Sequence, residues 1–231
     1  HSFPTRRSSD LVDDAGSDGT RDYISDYIEA GKIKYIYISK EESKGGNYAR
    51  NQGIKAANGE YVAFLDDDDE WIEDKIASQM QCVSDKVGFV YTGMLVETNF
   101  EKMTDDSINR KYLEGDLSKE ILIHILTVTS TILVEKKLLY EVGMFDEQLK
   151  YWQEYDLCIR LLQKTSVRCV NRGLVLYRVV TNDKKRLSNK ISGWEDSVKY
   201  IEQKYNNLYA GLSRKDHSRR HLYICIDGFN R

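Results

Sequence analysis

The chain has 231 residues, of which 41% are hydrophobic and 31% charged, and its net charge is −3. That length allows one sizeable domain, alone or with a small appendage, and the balance is that of an ordinary globular protein rather than a disordered or membrane-spanning one. So small a net charge leaves no electrostatic footprint for nucleic acid. No stretch approaches the roughly 18 apolar residues a spanning helix needs, and the N-terminus has no secretory pattern, so a cytoplasmic location follows by default.

Cys82, Cys158, Cys169 and Cys225 are scattered without a Cys-x-x-Cys pair, which suits neither a disulfide framework nor a zinc site. They read as buried small hydrophobes. Residues His1–Asp10 hold the chain's one proline and an Arg-Arg-Ser-Ser run, with no strand or helix periodicity, and read as a non-native leader.

Leu11-Val12 reads as the end of a strand, followed by a Gly- and Asp-rich turn and a helix over Thr20–Ala30 with Tyr23, Ile24, Tyr27 and Ile28 on one face. A strand over Ile33–Ser39 and a helix over Asn47–Ala57 come next. The latter closes at Asn58-Gly59, and its Gly53, which costs roughly 1 kcal/mol against Ala, hints at close packing on the sheet. Tyr61–Leu65 is a fully buried strand. This alternation implies a parallel sheet with helices on its faces and ligands at the C-terminal strand ends, where Asp13-Asp14 and Asp66–Asp69 both fall.

Further on, the pattern predicts a helix over Ile72–Val83, a strand over Val87–Val96, a polar connection and a helix over Leu117–Leu126. A strand over Ser130–Val134, helices over Lys136–Val142 and Asp156–Gln163, and two short strands at Val167–Val170 and Leu174–Arg178 complete the core. From Lys184 charge rises, and the remainder reads as a helical extension. The chain thus divides into a leader (1–10), a domain (11–183) and a charged C-terminal extension (184–231).

The run Asp66-Asp67-Asp68-Asp69 is the sharpest chemical feature. Carboxylates two apart in an extended segment, Asp66 and Asp68, point the same way and can share a hard cation, which could neutralise a diphosphate. A solvated acidic loop is the alternative, set aside because a buried strand delivers the run to the ligand edge. Trp71 stands where a calcium loop needs Gly. Ser17 and Asp18 can cap a helix or touch ligand, and Arg50 can face a diphosphate or solvent. Glu154, between aromatic residues, could serve as a general base, and Asp156 as a helix cap. His217 and His221 have metal-site spacing, but Arg220 replaces the Glu of the metalloprotease motif, and a solvated pair is the better reading. Neither a Gly-x-Gly-x-x-Gly nor a P-loop motif is present.

In order, Val-Asp-Asp-x-Gly-Ser-Asp-Gly-Thr (residues 12–20), Ala-Arg-Asn-x-Gly, Gly-x-Tyr-Val-x-Phe-Leu-Asp-x-Asp-Asp, Val-Gly-x-Phe-Asp-Glu and x-Tyr-Arg-Val resemble family 2 glycosyltransferases. The resemblance spans Leu11–Asn182. It implies an α/β GT-A fold, the Rossmann-like nucleotide-diphospho-sugar transferase layout with a mostly parallel sheet and helices on both faces. It implies that Asp14 contacts the nucleotide base with Arg50 nearby, that Asp66 and Asp67 lie on the donor side near ribose or sugar, and that Asp68 holds a divalent Mg or Mn ion. The family's catalytic carboxylate position is Glu154, with Gln153 and Glu154 in place of a Glu-Asp pair. Val180 stands where many members have His.

The implied activity is inverting transfer of a sugar from a nucleotide-sugar donor, a UDP-sugar, to a saccharide or lipid-linked acceptor, as in cell-surface polysaccharide synthesis. Such an acceptor would bring the protein to the inner face of the membrane. The family layout also begins with a strand, loop and helix ahead of Asp13-Asp14, so the domain is expected to lack its first strand. A nucleotidyltransferase, which should carry a Gly-rich basic phosphate loop, and a non-catalytic nucleotide- or sugar-binding remnant are the competing readings.

Overall fold

The computed structural model describes residues 9–100, 102–105, 112–180 and 191–229. Residues 1–8 of the expected leader and the Lys184 start of the expected extension lie outside the described residues. Strand β1 (Ser9–Asp14) already includes Ser9 and Asp10, two residues the sequence reading placed in the leader; they pair with Ile33 and Lys34 of β2 (Ile33–Ile38), parallel and in register to Asp14–Ile38. Between them the predicted single helix is two short ones, α1 (Thr20–Tyr23) and α2 (Ser25–Glu29), because Ile24 leaves helical geometry at φ −102°.

Helix α3 (Gly46–Ala56) starts after Gly45, whose φ of 94° needs glycine, and ends where Ala57 turns extended. It packs on β1 through Gly53: a Cβ there would stand 3.3 Å from Val12 Cγ2, which is the close approach its sequence position suggested.

Strand β3 (Tyr61–Ala63) opens a second sheet, followed by β4 (Glu70–Trp71), α4 (Lys75–Met80), β5 (Phe89–Thr98), β6 (Lys102–Asp105), β7 (Leu133–Glu135), α5 (Lys136–Glu141), α6 (Gln153–Leu162) and β8 (Val167–Val179). The order is β3-β7-β5-β8-β4, with β6 on β5. Pairing is mixed: β1–β2 and β5–β8 are parallel, and the other pairs antiparallel. The two short strands expected at 167–178 are one strand, β8, kept continuous by register shifts beside Gly93. A Cβ on Gly93 would meet the Arg172 carbonyl at 2.8 Å, so the bulge requires glycine. The helix expected over Leu117–Leu126 is only a 3-10 turn at Glu120–Leu122, and the strand expected from Ser130 begins at Leu133, after a 3-10 turn at Thr129–Thr131.

Helices α7 (Ile191–Lys204), α8 (Asn206–Tyr209) and α9 (Arg214–Phe229) follow. Trp194, Ile201, Tyr205 and Tyr209 join Phe64, Phe89, Tyr91, Phe145, Trp152 and Leu161 in one apolar cluster, so these helices share the core of the sheet. Each such side chain stabilises by roughly 1.5–3 kcal/mol when buried. Cys158 is buried as expected, whereas Cys225 is exposed on α9 and is no core residue. His217 and His221 are both exposed, as a solvated pair should be.

Candidate active site

At the end of β1, Asp13 and Asp14 take opposite roles. The Asp13 carboxylate accepts the Gly16 N–H at 2.7 Å and the Tyr35 hydroxyl at 2.5 Å, and burial together with Asp13 pushes the Tyr35 phenol up to about 12. It shapes the turn. Asp14 Oδ1 is buried and has no hydrogen-bond partner, an arrangement that costs free energy until a donor arrives. Ala15, next to it, is held at φ 62°, a conformation rare outside glycine. Asp18 accepts both the amide (3.0 Å) and hydroxyl (2.6 Å) of Thr20, which lowers its carboxyl; the N-cap itself is Gly19.

The second acidic segment is not extended. Asp67 and Asp68 form a turn closed by the Asp69 N–H on the Asp66 carbonyl at 3.2 Å. The alternation argument that paired Asp66 with Asp68 therefore does not hold; the turn sets both of them beside Asp69 instead. Asp67 and Asp68 are exposed, Asp66 is half-buried, and Asp69 is buried. Burial, then the neighbouring Asp68 and Asp66, push the Asp69 carboxyl up to about 6 against the bonds from Ser130 and the Arg178 backbone. Ser130 braces the turn from β7's side, accepting the Asp66 N–H at 3.0 Å while its carbonyl accepts the Trp71 indole at 2.9 Å.

Arg50, from α3, donates to Asp66 at 2.6 Å and lies over the Phe145 ring. On the same helix Asn47 donates to the carbonyls of Asp146 (2.7 Å) and Leu149 (2.9 Å), and Asn51 exchanges hydrogen bonds of 2.9 Å with the Phe145 backbone. So α3 joins the acidic turn to the 145–149 loop that leads into α6. Sequence reasoning missed Asn47, Asn51 and Ser130. The i, i+4 spacing of two asparagines around Arg50 was the available signal, and for Ser130 there was none.

Glu154 is half-buried in the first turn of α6, after Trp152, which is left-handed at φ 58°. Asp156 does not cap the helix. It is fully buried and accepts Arg160 at 2.5 Å, Lys204 at 2.7 Å and the Tyr205 hydroxyl at 2.6 Å. Lys204 also reaches Asp146 at 2.5 Å; burial alone would raise that carboxyl, but bonds from Lys204, the Gln148 backbone and Tyr200 hold it below the usual range.

The donor set at the acidic turn is all carboxylate, which suits a hard cation such as Mg or Mn. Among the described residues no three His, Cys, Asp or Glu side chains converge on one point. Any such ion would rest on one or two carboxylates and fill its shell with phosphate oxygens and water, a mode common for Mg.

Comparison with known proteins adds the relationship. The sequence model described as Glycosyl transferase family 2 matches residues 11–142. The chain is 26% identical, over 88% of its length and 78% of the other protein's, to the UDP-Glc:alpha-D-GlcNAc-diphosphoundecaprenol beta-1,3-glucosyltransferase WfgD of Escherichia coli. Its fold matches S. aureus TarS 1-349 in complex with UDP-GlcNAc at TM-score 0.68, 18% identity, over 96% of this chain and 64% of that one. It matches GalNAc-T7 with UDP, GalNAc and Mn2+ at TM-score 0.59, 14% identity, over 83% and 41%. These two likenesses establish the α/β GT-A fold that the motifs implied. The chain spans 62–67% of the length of three other curated glycosyltransferases it resembles.

Proposed function

The chain belongs to glycosyl transferase family 2, and from that premise we propose that it moves a sugar from a UDP-sugar to a saccharide or lipid-linked acceptor, with inversion, in cell-surface polysaccharide synthesis. The observation that carries this reading is the Arg50–Asp66 contact of 2.6 Å. It ties the carboxylate row of the turn after β3 to a cation on α3, the helix that packs against β1, whose end bears the orphaned Asp14 oxygen. The E. coli relative is named for UDP-Glc and a diphosphoundecaprenol acceptor, and TarS was solved with UDP-GlcNAc.

In this mechanism the Asp14 oxygen accepts a hydrogen bond from the nucleotide base, and Asp66 and Asp67 contact ribose or sugar. Asp68, with diphosphate oxygens, would hold a Mg or Mn ion, which when bound supplies positive charge against the departing diphosphate. Arg50 offers a planar fork of donors suited to phosphate. Glu154 accepts the proton of the acceptor hydroxyl while that oxygen bonds to the anomeric carbon. The bond from that carbon to the diphosphate oxygen breaks, and its electron pair leaves with the nucleotide. Attack from the face opposite the leaving group inverts the configuration.

A lipid-linked acceptor would bring the protein to the cytoplasmic face of the membrane as a peripheral enzyme; among the described residues no helix is long and apolar enough to cross one. The test is UDP release from UDP-glucose, UDP-galactose and UDP-GlcNAc with undecaprenyl-diphosphate sugars as acceptors, followed by proton NMR of the product's anomeric centre. Acceptor-dependent release with inverted configuration supports the reading. A retained configuration overturns inversion, and absence of UDP binding by calorimetry overturns the donor class.

A further inference from the structure

Near the end of α9 a single carboxylate oxygen, Oδ2 of Asp227, accepts two indole N–H groups: Trp194 at 2.7 Å and Trp152 at 3.1 Å. A carboxylate in the last turn of a helix sits at the negative end of its dipole, so nothing in the helix itself favours it there. The two tryptophans are buried, and their rings meet edge to face at 5.9 Å. Trp152 stacks the same way on Tyr155 at 5.2 Å, and the Tyr155 hydroxyl takes a bond of 2.9 Å from Arg220, also on α9. Close packing completes the clamp, since a Cβ on Gly228 would stand 2.6 Å from the Trp194 ring and one on Gly193 would stand 2.5 Å from the Tyr151 ring.

Trp152 is the residue whose left-handed backbone (φ 58°, ψ 30°) turns the chain into α6, two positions before Glu154. Such a conformation persists in a bulky residue only where the surroundings over-determine it. We infer that Asp227 is a positioning residue for Glu154: by gripping the Trp152 indole it fixes the turn from which the base is presented, and so makes the C-terminal helix part of the catalytic apparatus. This inference rests on the reading of Glu154 as the base.

The experiment compares steady-state hydrolysis of UDP-glucose, UDP affinity with Mn2+ and thermal melting for six variants of the full chain, one of them the double variant. Trp152→Phe and Asp227→Leu should each lower kcat by about 10²-fold, the scale of a misplaced catalytic group, with UDP affinity unchanged. Asp227→Asn keeps an acceptor oxygen and should recover most of the loss. Trp194→Phe removes the shorter of the two bonds yet leaves Trp152 held, so its kcat should stay near normal. In a Glu154→Gln background, Asp227→Leu should add little further loss, because residues acting through one another are not additive. Equal loss of kcat in the two Trp→Phe variants overturns the inference, as does a full additional loss in the Glu154→Gln background. Should Asp227→Leu fail to fold, the Trp152→Phe against Trp194→Phe comparison decides alone. If Glu154→Gln itself turns over normally, it is the assignment of the base that falls, a result no tryptophan variant can mimic.

Discussion

Arg50 reaches 2.6 Å from the Asp66 carboxylate, and this ion pair ties α3 to the acidic turn after β3. It commits one carboxylate that a cation would otherwise use. Arg50→Gln should therefore tighten binding of Mn2+ alone, by about tenfold if one charge contact of roughly 1.4 kcal/mol is released, while weakening UDP through loss of the phosphate-binding fork. Electron paramagnetic titration of free Mn2+ reads the first effect and calorimetry with UDP the second. Weaker Mn2+ binding in the variant would show that Arg50 does not compete for Asp66.

Glu154 and Asp68 divide the proposed chemistry between acceptor and donor, and their variants should fail differently. Glu154→Gln preserves size and hydrogen bonding but removes basicity, so transfer should drop by roughly 10²- to 10⁴-fold with UDP affinity intact. Asp68→Ala should lose the metal dependence of UDP binding as well. Equal UDP affinity with and without a chelator in the unaltered chain would remove the ion from the mechanism.

Much of this was legible in the residue order, and most of the misses share one cause. Strong periodicity over long segments located β2, α3, β5 and α6, and the Gly53 contact with Val12 followed from one helical glycine. Local pattern could not say that β3 pairs antiparallel with β7, or that β8 bulges at Gly93 instead of stopping, since both are set by partners distant in sequence. Ser130 and Lys204 act on the acidic turn and on Asp156 from 64 and 48 residues away. The acidic run was found by composition, but its turn came from one backbone bond, Asp69 to Asp66.

Asp156 shows the size of such an error. As a helix cap its loss would cost about 1 kcal/mol. Buried with Arg160, Lys204 and Tyr205 directed at it, it is the hub of an ion-pair network, and truncating one partner of such a pair typically costs 3–5 kcal/mol. Asp156→Ala should lower the melting temperature far more than any change at Glu154, and transfer per folded molecule by Asp156→Asn should stay measurable. A well-folded Asp156→Asn protein without activity, beside a normally active Glu154→Gln, would move the base to Asp156.

Lys75 makes stability depend on alkaline pH. Its side chain is 1% exposed, its ammonium donates to Gln79 at 2.8 Å over the Trp71 ring, and burial lowers it to about 7 from an ordinary 10.5. Below about 7 both folded and unfolded chains carry the proton, and Lys75 adds no slope. Between about 7 and about 10 the unfolded chain binds a proton that the folded one has shed, so stability attributable to this residue rises with pH, by up to about 1.4 kcal/mol per unit. Lys75→Met fills similar volume without the charge, and Gln79 keeps its bonds to the Val90 and Thr131 carbonyls. The variant should be as stable as the parent or more so at pH 7, where the parent carries the burial penalty, and should lose the advantage as pH rises. Urea melts at pH 7, 8 and 9 measure the difference between the two proteins. A difference that stays constant across that range would mean that Lys75 remains protonated in the fold, held by Gln79 and the Trp71 ring against its burial.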